Sequence, residues 1–216
     1  MKIVLTILSI TFMLSSGHAQ KITPKYTFNV ELGLPVAASN VPFKDIMQGL
    51  VCVSTYGQYS FPFHLNLGLG LRYSYFAVNE FSVPTPVLGG IHTGAAFMKV
   101  GWDKFHNDRF ATDVGVKVGY SENFISTDLN SDNAVNPVRI QSMLVEPTVG
   151  LILSADERNS YRLSIGYCIQ GYGFKPQSLG LESNSGYDPA KFDDLTRYFV
   201  FGFGYTFYIK GRSDNQ

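Results

Sequence analysis

The segment RYFVFGFGYTF, from Arg197 to Phe207, carries the strongest fold signal in this chain. Every second residue in it is aromatic: Phe199, Phe201, Phe203, Tyr205 and Phe207. The residues between them are small or of modest size: Val200, Gly202, Gly204 and Thr206. A period of two is that of a β-strand, whose side chains point alternately to opposite faces. The strand therefore has one bulky aromatic face, which water does not cover favourably, and one nearly bare face.

The same alternation recurs along the chain, for example in HLNLGLGLRYSYFAV at 64–78 and in RFATDVGVKVGYS at 109–121. No segment of useful length carries apolar residues at helical spacing. The pattern predicts one all-β domain with eight strands, at 26–37, 48–61, 64–78, 91–102, 109–122, 139–154, 160–173 and 196–209.

The connections between these strands alternate in length. Those after the second, fourth and sixth strands are tight (PFH, DKFHND and DERNS), whereas the other four are longer and rich in Pro, Asn, Asp, Ser and Gly. Transmembrane β-barrels have this arrangement, with short turns at one end and long loops at the other. The sequence therefore predicts an up-and-down meander with both termini at the short-turn end.

Strand alternation alone does not show which face lies inside, so a soluble barrel such as a lipocalin is an alternative. An eight-stranded barrel has room inside only for modest side chains. The bulky face is too large for that space, whereas the face rich in glycine suits it. We therefore predict an eight-stranded antiparallel transmembrane β-barrel with a filled lumen and an aromatic, apolar face in lipid.

The N-terminus is typical of a secretory signal peptide. Lys2 precedes the apolar run IVLTILSITFML, and Gly17-His18-Ala19 provides a cleavage site with small residues. We expect residues 1–19 to be removed and residues 20–216 to form the barrel. Since Lys2 is the only charge lost from 17 basic and 17 acidic residues, the mature chain is nearly neutral, which argues against nucleic-acid binding.

Seven charged residues fall on the predicted inner face. They are Glu31, Arg72, Lys99, Asp113, Lys117, Glu146 and Arg162. Buried charges persist only when they are paired and hydrogen-bonded, so we expect a structural salt-bridge network in the lumen. A catalytic or conducting role is the alternative, although an eight-stranded barrel leaves no wide aqueous channel.

With this architecture the chain resembles the small outer-membrane β-barrels of Gram-negative bacteria, the OmpA/OmpX-like family, including those of Bacteroidota. Gly202, Tyr205 and Phe207 match the Gly-x-x-aromatic-x-aromatic signal of the last strand that the barrel-assembly machinery reads. The resemblance implies an outer-membrane location, with extracellular long loops and periplasmic termini. It also implies outer-membrane lipid and lipopolysaccharide, the assembly machinery and, as an open option, another outer-membrane protein as partners.

The sequence contains no arrangement typical of an enzyme. His64, His92 and His106 are the histidines of the mature chain, and none has the His–Ser spacing of the lipid A-modifying barrels. Cys52 and Cys168 lie on the second and seventh strands, too far apart around the wall for a disulfide, so we predict free thiols.

A calcium-loop pattern in the third long loop is incomplete. Asp128, Asn130 and Asp132 have the first three ligand spacings, but Asn133 replaces the turn glycine and Arg139 the bidentate Glu. We predict no metal ion and no cofactor.

The fourth long loop, Lys175–Leu195, is longer than a hairpin requires, and such loops are often functional. A helical turn starting at Asp188-Pro189 places Phe192 and Leu195 together, beside Asp193 and Asp194. We expect these four residues to anchor another protein, with a plug over the barrel mouth as the alternative.

The function that these features favour is that of a non-enzymatic outer-membrane barrel whose long loops bind a partner. It would act as an accessory subunit of a larger outer-membrane assembly or as a surface-binding protein. A passive structural barrel is the alternative, and a lipid A-modifying enzyme is a more remote one.

Overall fold

The computed structural model describes residues 25–83, 87–129, 138–181, 186–192 and 194–209. These residues form a closed antiparallel barrel in which each strand pairs with the next and β1 pairs with β8. The strands are β1 Tyr26–Ser39, β2 Met47–Ser60, β3 Leu65–Val78, β4 Gly89–Phe105, β5 Phe110–Thr127, β6 Val138–Ser154, β7 Asn159–Gln170 and β8 Thr196–Tyr208. The predicted eight-stranded fold is therefore confirmed, while the predicted signal peptide lies outside the described residues.

The connections differ in length as the sequence predicts. The three turns at 61–64, 106–109 and 155–158 have four residues each. The long loops at the opposite end are L1 (40–46), L2 (79–88), L3 (128–137) and L4 (171–195). L1 contains a short helix, α1 Val41–Ile46, and one-turn 3-10 helices lie at Glu80–Ser82, Pro176–Leu179 and Pro189–Lys191. Among the described residues, no helix is long and apolar enough to cross a membrane.

The strand ends agree with the sequence prediction to within three residues, except in two places. The first is α1, which begins after Asn40, whose side chain accepts a hydrogen bond from the Phe43 amide at 3.1 Å, and has Pro42 in its first turn. These are helix-start signals, but six residues are too short to show a helical period. The second is β5, which continues to Thr127. Asn123, Ile125 and Thr127 still point inward, but the outward Glu122 interrupts the apolar outer face in the sequence.

The structure of β8 shows why aromatic residues and glycines alternate between Phe199 and Phe207. Phe199, Phe201, Phe203 and Phe207 point outward and are exposed, with the half-buried Tyr205 on the same face, whereas Gly202 and Gly204 face the lumen. A Cβ atom at Gly204 would lie 2.8 Å from Cγ of Glu31. The bare face is thus required because β1 and the lumen side chains pack directly against it.

The outer and inner faces are inverted relative to a water-soluble protein. Leucine, valine and aromatic residues are exposed around the wall, while charged side chains are buried inside. On β5, for example, Val116 is outward and Lys117 is buried. An outer face of this composition is stable in lipid rather than in water.

Candidate functional site

The seven predicted lumen charges are joined in one continuous chain of ion pairs. All seven side chains are at most 9% exposed. The chain runs from Arg72 to Glu146, then through Lys117 (3.4 Å), Glu31 (3.1 Å), Arg162 (3.7 Å) and Asp113 to Lys99 (2.7 Å). Each charge thereby has a partner of opposite sign, which buried charges need.

The network connects opposite walls of the barrel. Its members come from β1, β3, β4, β5, β6 and β7. Arg72 on β3 also donates through a second guanidinium nitrogen to Glu146 on β6, at 2.6 Å. Four of the six ion pairs join strands that share no backbone hydrogen bonds, as Arg72–Glu146 and Lys117–Glu31 do.

Three further lumen residues belong to this site and were not singled out from the sequence. Asp103 accepts a hydrogen bond from Nε2 of Gln58 at 2.8 Å, and Oε1 of Gln58 accepts one from Lys99 at 3.2 Å. Asp103 lies just beyond the predicted end of β4, so strand parity did not include it. With Asp103 the lumen holds four acidic and four basic side chains.

Tyr56 is the third addition, and it is larger than the lumen was expected to hold. Its hydroxyl donates to Glu31 at 2.7 Å, and the ammonium groups of Lys99 and Lys117 lie 5.3 and 5.5 Å from its ring centroid. A Cβ atom at Gly70 on the neighbouring strand would overlap the Tyr56 side chain. The ring therefore fits because a glycine faces it.

Little free space lies between these charges. The cavity lined by Arg72, Lys117 and Glu146 has a volume of about 10 Å³. This is about the smallest space that holds one water molecule.

The half of the lumen nearer the long loops holds an apolar cluster, beside uncharged polar side chains such as Ser74, Thr93 and Asn123. Side chains from the strands pack there with others from α1, L2 and L4. The loop residues in this cluster are Phe43 and Ile46 from α1, Val87 from L2, and Tyr172, Phe174, Leu179 and Leu181 from L4. We call this group the mouth cluster. It covers the barrel at the long-loop end, and burial raises the pKa of Tyr172 within it.

Asn40 holds L4 over the mouth. Its Nδ2 donates toward the carbonyl oxygens of Phe174 (3.2 Å), Phe192 (3.4 Å) and Asp194 (2.8 Å), while its Oδ1 caps α1 at Phe43. Asn40 has φ 64°, a left-handed conformation that asparagine tolerates better than most residues. One buried side chain thus joins L1 to both ends of L4.

The predicted loop anchor is not assembled as expected. Phe192 is only 6% exposed, because its ring packs within the protein, whereas Leu195 is 37% exposed. Asp194 is exposed, and Asp193 lies outside the described residues. Phe192 is therefore unavailable as a surface anchor, and the described apolar residues of L4 pack into the mouth cluster.

A different aromatic side chain is presented by the loops. Phe81 in L2 is 100% exposed. Its backbone is held in a one-turn helix capped by Asn79, whose Oδ1 accepts from the Phe81 amide at 3.2 Å. The Asn79 amide in turn donates to the Ile46 carbonyl of α1 at 2.7 Å. The sequence does not show that Phe81 is exposed. Which apolar loop residues remain exposed depends on how the loops pack in the folded protein.

The residues of the predicted assembly signal lie on both faces of β8. Tyr205 and Phe207 point outward with ring centroids 4.6 Å apart. Gly202 faces the lumen, where a Cβ atom would lie 2.5 Å from Oγ of Ser164.

The histidines and cysteines lie apart from one another. Nδ1 of His92 is 2.8 Å from the Tyr73 hydroxyl on the outer wall, and Nε2 of His106 is 3.1 Å from Oγ1 of Thr112 at the short-turn end. Cys52 and Cys168 are buried in the lumen as free thiols. Within the described residues, no group of three His, Cys, Asp or Glu side chains is placed to hold a metal ion.

Comparison with solved structures places this geometry among known folds. Neisserial surface protein A superposes with a TM-score of 0.56 at 8% identity, over 85% of this chain and 97% of that protein. The fold is that of small eight-stranded outer-membrane β-barrels. The expected resemblance is thus confirmed at the level of the fold, while the Bacteroidota type stays a prediction.

Two other solved structures are similar at lower TM-scores. The major outer membrane protein of Thermus thermophilus has a TM-score of 0.48 and 10% identity, over 84% of this chain and 98% of that one. Ail, the attachment invasion locus protein of Yersinia pestis, has a TM-score of 0.44 and 9% identity, over 85% and 99%. No protein-family model matches the sequence, and no curated protein does either.

Proposed function

We propose that this chain is a non-enzymatic integral outer-membrane barrel that acts by binding a protein partner through its long loops. It serves as an accessory subunit of a larger outer-membrane assembly or as a surface-binding protein. In this proposal the long loops are extracellular and both termini periplasmic, in keeping with the separation of long loops and four-residue turns.

The observation that carries the proposal is a barrel closed at two levels. The charge network leaves a cavity of about 10 Å³, and the mouth cluster covers the lumen above it. Within the described residues neither level leaves an open path for solutes, which supports a binding surface better than a pore.

The described parts of L1, L2 and L4 are held in place by side-chain hydrogen bonds. Asn40 fixes L4 to L1, and Asn79 fixes the turn that presents Phe81. Binding to ordered loops avoids the entropy cost of immobilising them. Phe81 is the natural anchor, since exposed aromatic side chains commonly supply the binding energy of protein interfaces.

The test compares two exposed phenylalanines at opposite ends of the barrel. Phe81→Ser in L2 removes the proposed anchor, while Phe63→Ser in the first short turn is the matched control. Complexes are cross-linked on intact cells, extracted in mild detergent and quantified by mass spectrometry. We expect Phe81→Ser to lose a specific partner that wild type and Phe63→Ser retain.

The alternative of a passive structural barrel makes the opposite prediction. In that case the set of cross-linked proteins is the same for wild type and both variants. Each variant is first shown to resist SDS until heated, as expected of a closed barrel, so that misfolding is not mistaken for lost binding.

A further inference from the structure

Among the described lumen residues, Asp103 is the acidic side chain that the chain of ion pairs leaves out. The three other acids bond to all four bases of the lumen. Asp103 is as deeply buried as they are, at 4% exposed, yet none of these bases forms an ion pair with it. A buried carboxylate without a cation is so costly that the group becomes neutral instead.

Asp113 lies directly opposite Asp103 on the neighbouring strand β5. Both side chains point into the lumen, and their carboxyl groups are in contact. Like charges in directly opposite positions destabilise a sheet. Oδ1 of each residue also lacks a hydrogen-bond donor. Since ionised carboxylates only accept hydrogen bonds, the contact becomes a bond only when one of the two groups carries a proton.

The hydrogen bonds around the pair show which carboxyl group carries that proton. Oδ2 of Asp113 accepts from Lys99 at 2.7 Å and also from Arg162, which keeps Asp113 ionised. Lys99 donates as well to Oε1 of Gln58 at 3.2 Å, so the amide nitrogen of Gln58 points to Oδ2 of Asp103, at 2.8 Å. Asp103 therefore faces a neutral amide instead of an ammonium group and is the partner that stays neutral.

The other groups around Asp103 supply no substitute for a proton. Asn66 of β3 is fully buried one inward position away, opposite Gly101, but its Nδ2 donates to no acceptor. The carbonyl of His64 accepts from the Asp103 amide at 3.0 Å, while the imidazole lies against Trp102 on the outer face, with ring centroids 5.8 Å apart. The charged groups that act most strongly on Asp103 are Asp113, Lys99 and Arg162.

We propose that Asp103 and Asp113 form a proton-binding pair in the lumen. Oδ1 of Asp103 holds a proton, taken up from water, at neutral pH and donates it in a hydrogen bond to Oδ1 of Asp113. The proton joins β4 to β5 near the short-turn end and makes the barrel sensitive to alkaline pH, independently of loop binding. A metal cation fits this place less well, because Lys99 and Arg162 already bring two positive charges to Asp113.

Infrared spectroscopy detects the proton directly. A protonated carboxyl group has a C=O stretching band at higher frequency than a carboxylate, and a detergent without carbonyl groups leaves that region clear. At neutral pH, far above the ~4 at which an ordinary aspartate loses its proton, we expect this band in the folded wild-type protein and its loss in Asp103→Asn. Asp108→Asn, in the exposed turn that follows β4, is the matched control and should keep the band.

Two infrared results would overturn the proposal. One is a wild-type spectrum that lacks the band at neutral pH, and the other is a band that Asp103→Asn retains. The first depends on no variant, so it decides the question even if Asp103→Asn does not fold. Resistance to SDS before heating shows whether each variant is folded.

The pH dependence of unfolding measures the same proton independently. The folded barrel holds one proton that the unfolded chain releases above about pH 4, so stability should fall as the pH rises until Asp103 ionises in the folded state. Urea unfolding at a series of pH values compares wild type with Asp103→Asn, whose amide donates to Asp113 at every pH. The ratio of their unfolding equilibrium constants should change about tenfold per pH unit in this window. A ratio that is constant with pH would show that no proton is bound here.

The salt composition distinguishes a proton from a metal cation. At constant pH and ionic strength, replacing sodium chloride by potassium or choline chloride should leave the unfolding of the wild-type protein unchanged. Unfolding that depends on the cation would assign the pair to metal binding and refute the proton.

Discussion

Lys117 on β5 donates a hydrogen bond to Glu31 on β1 at 3.1 Å, joining strands on opposite sides of the barrel. Lys117 also lies 3.4 Å from Glu146, so one ammonium group balances two carboxylates. This contact is the middle of the charge network. We therefore expect the stability of the barrel to depend strongly on Lys117 and its two carboxylate partners.

Lys117→Met should destabilise the barrel strongly. It leaves Glu31 with Arg162 and Glu146 with Arg72, so each carboxylate loses one of its two cations. Removing one partner of a buried ion pair costs about 3–5 kcal/mol. Urea unfolding of the protein in lipid vesicles measures the loss. The double variant Lys117→Met with Glu31→Gln should recover part of it, and strictly additive effects would show that the two groups are not coupled.

An introduced lysine should distinguish two depths on the outer face of β5. Val116→Lys places a charge on the outer wall near mid-membrane and should cost ~2–4 kcal/mol of unfolding free energy. Thr112→Lys, on the same face but near the short turn, should cost at most ~1 kcal/mol, because the side chain reaches the interface. The same vesicle unfolding assay compares them. Equal costs at both depths would contradict lipid contact along this face.

Asn40→Gly should release L4 while leaving the barrel closed. Glycine keeps the left-handed backbone at φ 64° but removes the hydrogen bonds to L4. Trypsin cleavage after Lys191, next to the Phe192 carbonyl that Asn40 holds, should then become faster than in wild type. Asn79→Gly, which removes a similar cap in L2, is the control and should leave cleavage after Lys191 unchanged. An unaltered rate in Asn40→Gly would show that the mouth cluster alone holds L4.

Cys52 and Cys168 should remain free thiols in the oxidising envelope. They lie on β2 and β7, three strands apart through β1 and β8, or about 14 Å along the wall at ~4.8 Å per strand. A disulfide requires Cα atoms less than ~7 Å apart. Maleimide should label neither thiol in the folded protein and both after unfolding without reductant. A mass two hydrogens lower in the unfolded sample would reveal a disulfide and contradict this prediction.

Strand number and the outward face of each strand were predictable from the sequence. Both depend on a period of two within single segments, such as the alternation of aromatic residues and glycines from Phe199 to Phe207. Parity also placed Lys117 and Glu31 on the inner face, where the structure has them. Local pattern is sufficient here because lipid outside and a narrow lumen inside act on every strand alike.

Which residues meet one another depends instead on the closed three-dimensional fold. The register around the barrel brings Arg139 of β6 into line with Tyr75 of β3, 64 positions earlier in the chain, and brings Asp103 into the lumen beside Gln58. L4 likewise covers the mouth because Asn40, more than 130 positions away, bonds to its backbone. Such contacts depend on ring closure and loop packing, which no local period encodes, whereas the strands themselves follow from the alternation of side chains between lipid and lumen.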